Sequence, residues 1–276
     1  MSVRIVVDST CDLIPALRER VRIANLTVYF GEEEYIDGVT LTAEGFYEKL
    51  AESKVMPTTS QATPFAFGQI FDELVEAGDE VVCITCSSGL SGTYQSADIA
   101  ADDHEGKVFV VDSQNIALSS AILAEYALRL VDEGKSAQEI YEELMAVRDK
   151  AHLFAVVDTL EFLQRGGRVS KTVAIAGGLL AIKPIIGVVN GKVEMVGKAR
   201  GNKAANRQMN QEVEKLGIDL TKPVLLGYTG TDDTLLQKYM TECGDMWPAD
   251  VKTTVVSGVV GAHAGPGAVA IAFFAK

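Results

Sequence analysis

Residues able to do chemistry are concentrated in three polar clusters that interrupt apolar stretches of this 276-residue chain. They are Asp8-Ser9-Thr10-Cys11-Asp12, then Cys86-Ser87-Ser88-Gly89-Leu90-Ser91-Gly92-Thr93-Tyr94, and the glycine-rich segment 258–267 around His263. A further hydroxyl-rich loop, Pro57-Thr58-Thr59-Ser60-Gln61, leads to Thr63-Pro64. Hydroxyls and free backbone N–H groups where a strand hands over to a helix converge donors on one point, which suits a small anion such as a carboxylate or phosphate. Ser and Thr also cap helices and close turns, and for any single cluster that role is the commoner one; recurrence at three strand ends weighs against it. A solitary histidine is more often structural than ligating. Glycines at 258, 261, 265 and 267 shift those odds for His263, because they imply close backbone approach around it.

Other chemistries fit less well. A hydrolase nucleophile elbow is Gly-x-Ser-x-Gly, whereas Gly89-Leu90-Ser91-Gly92-Thr93 has Thr at the second glycine. His263 and several aspartates complete a triad on paper, at little coincidence in a chain with three histidines. An esterase-like serine hydrolase using Ser91 and His263 is therefore carried as the alternative. Neither a P-loop nor a dinucleotide fingerprint is present. His104, His152 and His263 are far apart in sequence and none belongs to a His-x-x-x-His pair, so no metal site is expected. Cys83-Ile84-Thr85-Cys86 has redox spacing but ends a predicted strand, where positions three apart face opposite sides, and a redox pair works best with its first Cys at a helix N-terminus. Both read as small apolar residues.

The elements that must position these clusters alternate between short Val/Ile-rich runs and longer helix-period segments, the mark of α/β layering with a largely parallel sheet. Strands are predicted at 3–7, 21–30, 80–85, 107–111 and 153–157, with helices at 65–77, 118–133 and 137–150. Thr63-Pro64 supplies the N-cap and first-turn Pro of the helix at 65–77. After residue 158 the texture changes. Asn190-Gly191 between apolar runs at 185–189 and 192–196 predicts a two-residue hairpin, followed by helices at 202–216 and 232–243 and a strand at 224–228, with two late strands. The expected fold is α/β: an N-terminal three-layer domain with a mostly parallel sheet over 1–157, and a C-terminal two-layer α/β domain with a mixed sheet over 158–276.

Apolar types make up 47% of the chain and 38 acids face 25 bases, for a net charge of −13. That excludes a disordered chain and speaks against general nucleic-acid binding. Four scattered cysteines suit a reducing compartment. Asp8 and Asp12 interrupt the only early apolar run, and the weakly polar stretch from Thr172 meets Lys183 and Pro184 short of the ~20 residues a membrane helix needs; a soluble, cytoplasmic protein is expected. Charge is uneven: residues 1–157 carry 27 acids and 11 bases, residues 158–276 carry 11 and 14. From Arg165 to Arg207 nine bases, Arg168 and Lys171 among them, meet one acid, Glu194, which makes the segment a docking candidate for an anion or acidic partner, or equally a solvated face.

Taken together the motifs resemble the DegV family of bacterial fatty-acid-binding proteins. The matching pieces are Asp8-Ser9-Thr10-Cys11-Asp12-Leu13, Thr58-Thr59-Ser60-Gln61, Ser87-Ser88-Gly89-Leu90-Ser91-Gly92-Thr93-Tyr94, Val111-Asp112-Ser113, Gly166-Gly167-Arg168-Val169-Ser170, Ile182-Lys183-Pro184 and Gly261-Ala262-His263-Ala264-Gly265-Pro266-Gly267. The resemblance implies two α/β domains with one long-chain fatty acid in a buried tunnel between them, its carboxylate hydrogen-bonded by Thr59, Ser91 and His263. Ala62-Thr63-Pro64 follows Gln61 where many relatives place Pro sooner, so Thr58 and Ser60 stay open beside Thr59. The resemblance also implies a lipid-binding carrier and not an enzyme: it would present the fatty acid to a separate fatty acid kinase for acyl-phosphate formation in phospholipid metabolism. No cofactor or metal is then expected. The basic segment, Arg165 and first of all Arg168, would dock the kinase or touch a membrane surface transiently.

Overall fold

The structure is a computed structural model that describes residues 2–169 and 181–276. Ser170, Lys171 and the weakly polar stretch with Gly177-Gly178 lie outside the described residues. In chain order the elements are β1 (Val3–Asp8), α1 (Pro15–Arg18), β2 (Arg22–Ala24), β3 (Thr27–Phe30), β4 (Glu33–Ile36), α2 (Ala43–Glu52), β5 (Thr58–Ser60), α3 (Pro64–Glu76), β6 (Glu80–Thr85), α4 (Thr93–Ala101), β7 (Val108–Asp112), α5 (Leu118–Asp132), α6 (Ala137–Val147) and β8 (Ala151–Val156). They continue with α7 (Glu161–Arg165), β9 (Ile182–Val189), β10 (Lys192–Arg200), α8 (Asn202–Leu216), β11 (Leu225–Tyr228), α9 (Thr234–Cys243), β12 (Lys252–Val255), α10 (Gly258–Ala264) and β13 (Val269–Phe274).

Among the described residues the strands form three sheets. Strands β2-β1-β6-β7 form a parallel sheet. Strands β10-β9-β8-β13-β11-β12 form a mixed one, in which only β11 and β12 run parallel. Strands β4-β3-β5 make a small antiparallel sheet. The fold is thus α/β with a parallel and a mixed sheet, as the alternation of runs predicts. β8, just before residue 157, pairs within the mixed sheet.

Both faces of the parallel sheet are buried, which is why β1 and β6 read as unbroken apolar runs. Val81 and Cys83 pack toward Phe67, Phe71 and Ala97 of α3 and α4, while Val82 and Ile84 face α5 and α6 through Leu118, Ile122, Ile140 and Leu144. Helix α5 lies between the two large sheets, touching β1 and β6 on one side and β8, β11 and β13 on the other. The mixed sheet's other face is covered by α8 and α9 through Ala205, Met209, Val213, Leu236 and Tyr239.

Local signals account for most elements. Thr63 Oγ1 accepts the Ala66 N–H at 3.2 Å with Pro64 in the first turn. Asn190 (φ 49°) and Gly191 (φ 72°) both adopt the left-handed region that a two-residue hairpin turn requires. The single strand predicted at 21–30 divides at Asn25. Asn25 Nδ2 donates to the Asp37 carbonyl at 2.8 Å and the Leu26 N–H to Ser9 Oγ at 3.1 Å, so the chain leaves the parallel sheet as β2 and enters the small sheet as β3.

Candidate functional site

Each polar cluster is held in place by buried hydrogen bonds. The Asp8 carboxylate accepts the Thr10 N–H at 2.9 Å, the Thr10 hydroxyl at 2.6 Å and, from across the sheet, the Cys86 N–H at 2.7 Å. Burial pushes its pKa up, against those bonds. Beyond Cys86, Ser87 Oγ donates to the Gly191 carbonyl at 2.7 Å, so the loop docks on the tip of the β9–β10 hairpin. A Cβ on Gly89 would come within 2.6 Å of that same carbonyl. Ser88 is tied to the Asp112 carboxylate by its N–H and its hydroxyl. Ser91 then stands at the start of α4, its oxygen accepting the Thr93 N–H at 3.2 Å and lying 2.9 Å from Thr93 Oγ1.

The segment 57–61, read from sequence as a loop, contains the short strand β5, because β3 offers an edge for it to pair with. Strand alternation turns Thr59 away from the side taken by the exposed Thr58 and Ser60. Thr59 Oγ1 lies 2.9 Å from His263 Nε2. The glycine-rich segment 258–267 is largely helix α10, ended by Gly265 at φ 73°. Interior glycine costs a helix roughly 1 kcal/mol relative to Ala. Here packing demands it: a Cβ on Gly258 would lie 3.0 Å from Phe46 Cγ, and one on Gly261 would lie 2.6 Å from the Tyr47 hydroxyl.

His263 is close to the end of α10 and burial, followed by the nearby Arg168 charge, pushes its pKa down to about 4. It is therefore a neutral imidazole at pH 7. Its Nδ1 is buried without a hydrogen-bond partner among the described residues. An unpaired lone pair is cheaper than an unpaired N–H, so we assign the proton to Nε2, facing Thr59. Gly166 makes room for the ring, since a Cβ there would sit 2.1 Å from Nδ1.

Arg168 does not stand free on the surface. It is half-buried, with Nε donating to the Leu90 carbonyl at 3.1 Å and Nη1 to the Gly166 carbonyl at 2.7 Å. It thereby ties the Gly-Gly turn to the loop that carries Ser91. Arg165 is exposed and paired with Glu161 at 2.6 Å, one helical turn away.

Thr59, Ser91, Arg168 and His263 line one cavity of about 320 Å³, together with Ser60 and Gln61. The remainder of its wall is mostly apolar. Leu153, Ala155 and Val157 follow β8, Ile186 and Val188 lie on β9, Ala268 and Ala270 belong to β13 and its approach, and Ile116, Leu118, Val259 and Val260 close the opposite side. A pocket of this size, apolar with a few convergent donors, suits an amphiphile with a small anionic head. The arrangement does not resemble a triad: Ser91 Oγ pairs with Thr93 and His263 Nε2 with Thr59, and the Ser–His bond is not made. All four cysteines are free, and burial pushes the thiols of Cys11, Cys83 and Cys86 far up, so they stay protonated. Among the described residues no helix is long and apolar enough to cross a membrane.

Sequence reasoning points to Thr59, Ser91 and His263 but not to Arg168 as a wall of the cavity, nor to Gly166 as the space for the imidazole. Gly166 and Arg168 carry a signal as part of one motif.

Over residues 2–276 the chain matches the family described as "Uncharacterised protein, DegV family". The chain belongs to the DegV family. A DegV domain-containing protein of Deinococcus radiodurans is 35% identical over 99% of this chain and 98% of its own. Among solved structures, a DegV family protein from Thermus thermophilus described for its fatty acid binding superimposes with a TM-score of 0.89 at 31% identity, covering 100% of both chains. A stearic-acid-binding protein from Eubacterium ventriosum gives 0.85 at 29% identity over 100% of this chain and 99% of that one.

Proposed function

We propose that this DegV protein binds one long-chain fatty acid in the cavity, with the carboxylate hydrogen-bonded by Thr59, Ser91 and His263 and the acyl chain along the apolar wall. The observation that carries the reading is that those three side chains line one mostly apolar cavity; the fatty acids bound by the Thermus and Eubacterium relatives support it. Two hydroxyls and a neutral imidazole donate to a carboxylate without a fixed charge at the contact. Arg168 alongside adds a positive potential. Each buried methylene contributes ~0.8 kcal/mol, so the tail supplies most of the affinity.

In this reading the protein is a cytoplasmic carrier that holds its ligand between two units divided near residue 157, with β8 reaching across that division into the mixed sheet. It presents the carboxyl group to a separate fatty acid kinase, touches a membrane surface only transiently and uses neither nucleic acid nor a cofactor. Arg165, exposed and paired with Glu161, is the better placed of the two arginines for docking that kinase; Arg168 serves from the cavity rim.

Native mass spectrometry of the purified protein, then identification of what denaturation releases, tests the binding. A long-chain fatty acid is expected, and Ser91→Ala and His263→Ala should each weaken its retention by about 1.5–3 kcal/mol, the usual worth of a hydrogen bond to a charged group. A folded protein that stays empty after incubation with fatty acids overturns the reading. Ester turnover abolished in Ser91→Ala would favour the hydrolase instead.

A further inference from the structure

Of the cluster after β1 only Thr10 reaches the cavity, yet the bonds of its carboxylates end on the segments that carry the site's donors. Asp8 holds the Cys86 N–H, five residues before Ser91. Asp12 Oδ1 accepts the Ser257 N–H at 2.8 Å, and Asp37 Oδ1 accepts the Val259 N–H at 3.3 Å. Ser257 and Val259 open α10, whose penultimate residue is His263. The two carboxyl groups thus grip the start of the helix four to six residues before His263, roughly 6–9 Å of axial rise at 1.5 Å per residue.

The grip is costly. Asp12 and Asp37 are almost fully buried. Burial holds both carboxyls above their usual range, Asp12 at about 8 and Asp37 at about 6, with Arg18 the nearby cation that opposes the shift in each. A solvent-facing Ser or Asp would cap a short helix at far lower desolvation cost. What the buried pair adds is placement. The glycine faces of α10 lie against Phe46 and Tyr47, and Tyr47 in turn donates to the Val256 carbonyl at 3.0 Å. At the far end the ring fits only because Gly166 has no Cβ. A small slip of α10 along α2 therefore breaks the 2.9 Å contact between Thr59 and His263.

We propose that Asp12 and Asp37 are positioning residues of the ligand site: through the first N–H groups of α10 they set where His263 stands relative to Thr59, and hence how the ligand's carboxylate is held. The inference rests on the fatty-acid reading for its ligand, but its geometric half does not.

Two readouts on delipidated full-length protein test it: the ¹⁵N resonances of the His263 ring without ligand, and the affinity for cis-parinaric acid followed by fluorescence. Asp12→Ala should shift the Nε2 resonance and weaken binding at least tenfold. Asp12→Asn keeps an acceptor oxygen for the Ser257 N–H and should restore both. Asp37→Ala and Asp37→Asn should repeat the pattern. A folded Asp12→Ala protein with an unchanged His263 spectrum overturns the proposal, as does an Asn variant as impaired as the Ala one. Should Asp12→Ala fail to fold, Asp12→Ser and the Asp37 pair decide by the same criteria. If unmodified protein ignores cis-parinaric acid, the fatty-acid reading falls, while the ring resonances still decide the positioning.

Discussion

The two faces of the mixed sheet are built from the same strands and end up filled in opposite ways. On one face Phe154 and Val156 of β8 and Val269, Ile271 and Phe273 of β13 interlock with Met209, Val213 and Leu236 of α8 and α9. On the other, the alternate positions are Leu153 and Ala155 of β8, then Ala268 and Ala270, and a cavity of about 320 Å³ lies over them. Both faces are apolar, so hydrophobicity does not separate them. Side-chain volume does: large side chains reach the facing helices and close the core, whereas methyl groups leave room that α5 and α10 do not fill. The cavity is a layer of the core in which small residues stand where large ones would close the packing.

The sharpest way to break this contrast is to hollow out the packed face. Phe273→Ala should cost about 3–5 kcal/mol of stability, measured by denaturant unfolding, because it removes a fully buried ring from close packing. Fatty-acid affinity of the folded protein should be retained; an equal loss of affinity would show that the faces are not independent. The converse change fills the open face. Ala270→Leu should displace roughly two methylenes of ligand at ~0.8 kcal/mol each, about a tenfold loss of acyl-chain affinity, with a smaller change in unfolding free energy than Phe273→Ala. Binding unaffected by Ala270→Leu would mean that the ligand does not lie where we place it.

Acidity provides a third and gentler probe, since it acts on the side where α10 is anchored. Asp12 at about 8 and Asp37 at about 6 are raised above the unfolded value near 3.9. Between the unfolded and folded values the native state binds more protons than the unfolded state, so each group makes stability fall as pH rises. His263, lowered to about 4 from 6.5, acts in the opposite sense below pH 6.5. Of these three groups only the carboxyls act above 6.5, and stability should decline from pH 6.5 to 8. Asp12→Asn should flatten that decline; a decline as steep in the variant would place its origin elsewhere.

Much of the molecule is legible in its amino-acid sequence. The helix at 65–77 announces itself through Thr63-Pro64 and the hairpin through Asn190-Gly191, because capping and turn geometry depend on two or three neighbouring residues. Thr59, Ser91 and His263 stand out through motifs that follow one another in a family's order along the chain. Other features give no local sign. Nothing around Gly258 distinguishes a glycine-rich loop from a helix that needs glycine to sit on Phe46 and Tyr47, since the partner lies more than two hundred residues away.

The layered α/β class, the helix and turn signals and the residue types able to hold a carboxylate were thus determined by sequence alone, all of them properties of short windows. Tertiary structure decided the rest. It set Arg168 against the Leu90 carbonyl instead of in solvent, bound Asp12 and Asp37 to the start of α10, and left the space over Ala155 and Ala270 unfilled. Each of these depends on which distant segments meet, and chain-local chemistry does not encode the distance between two segments until both are packed against the same core.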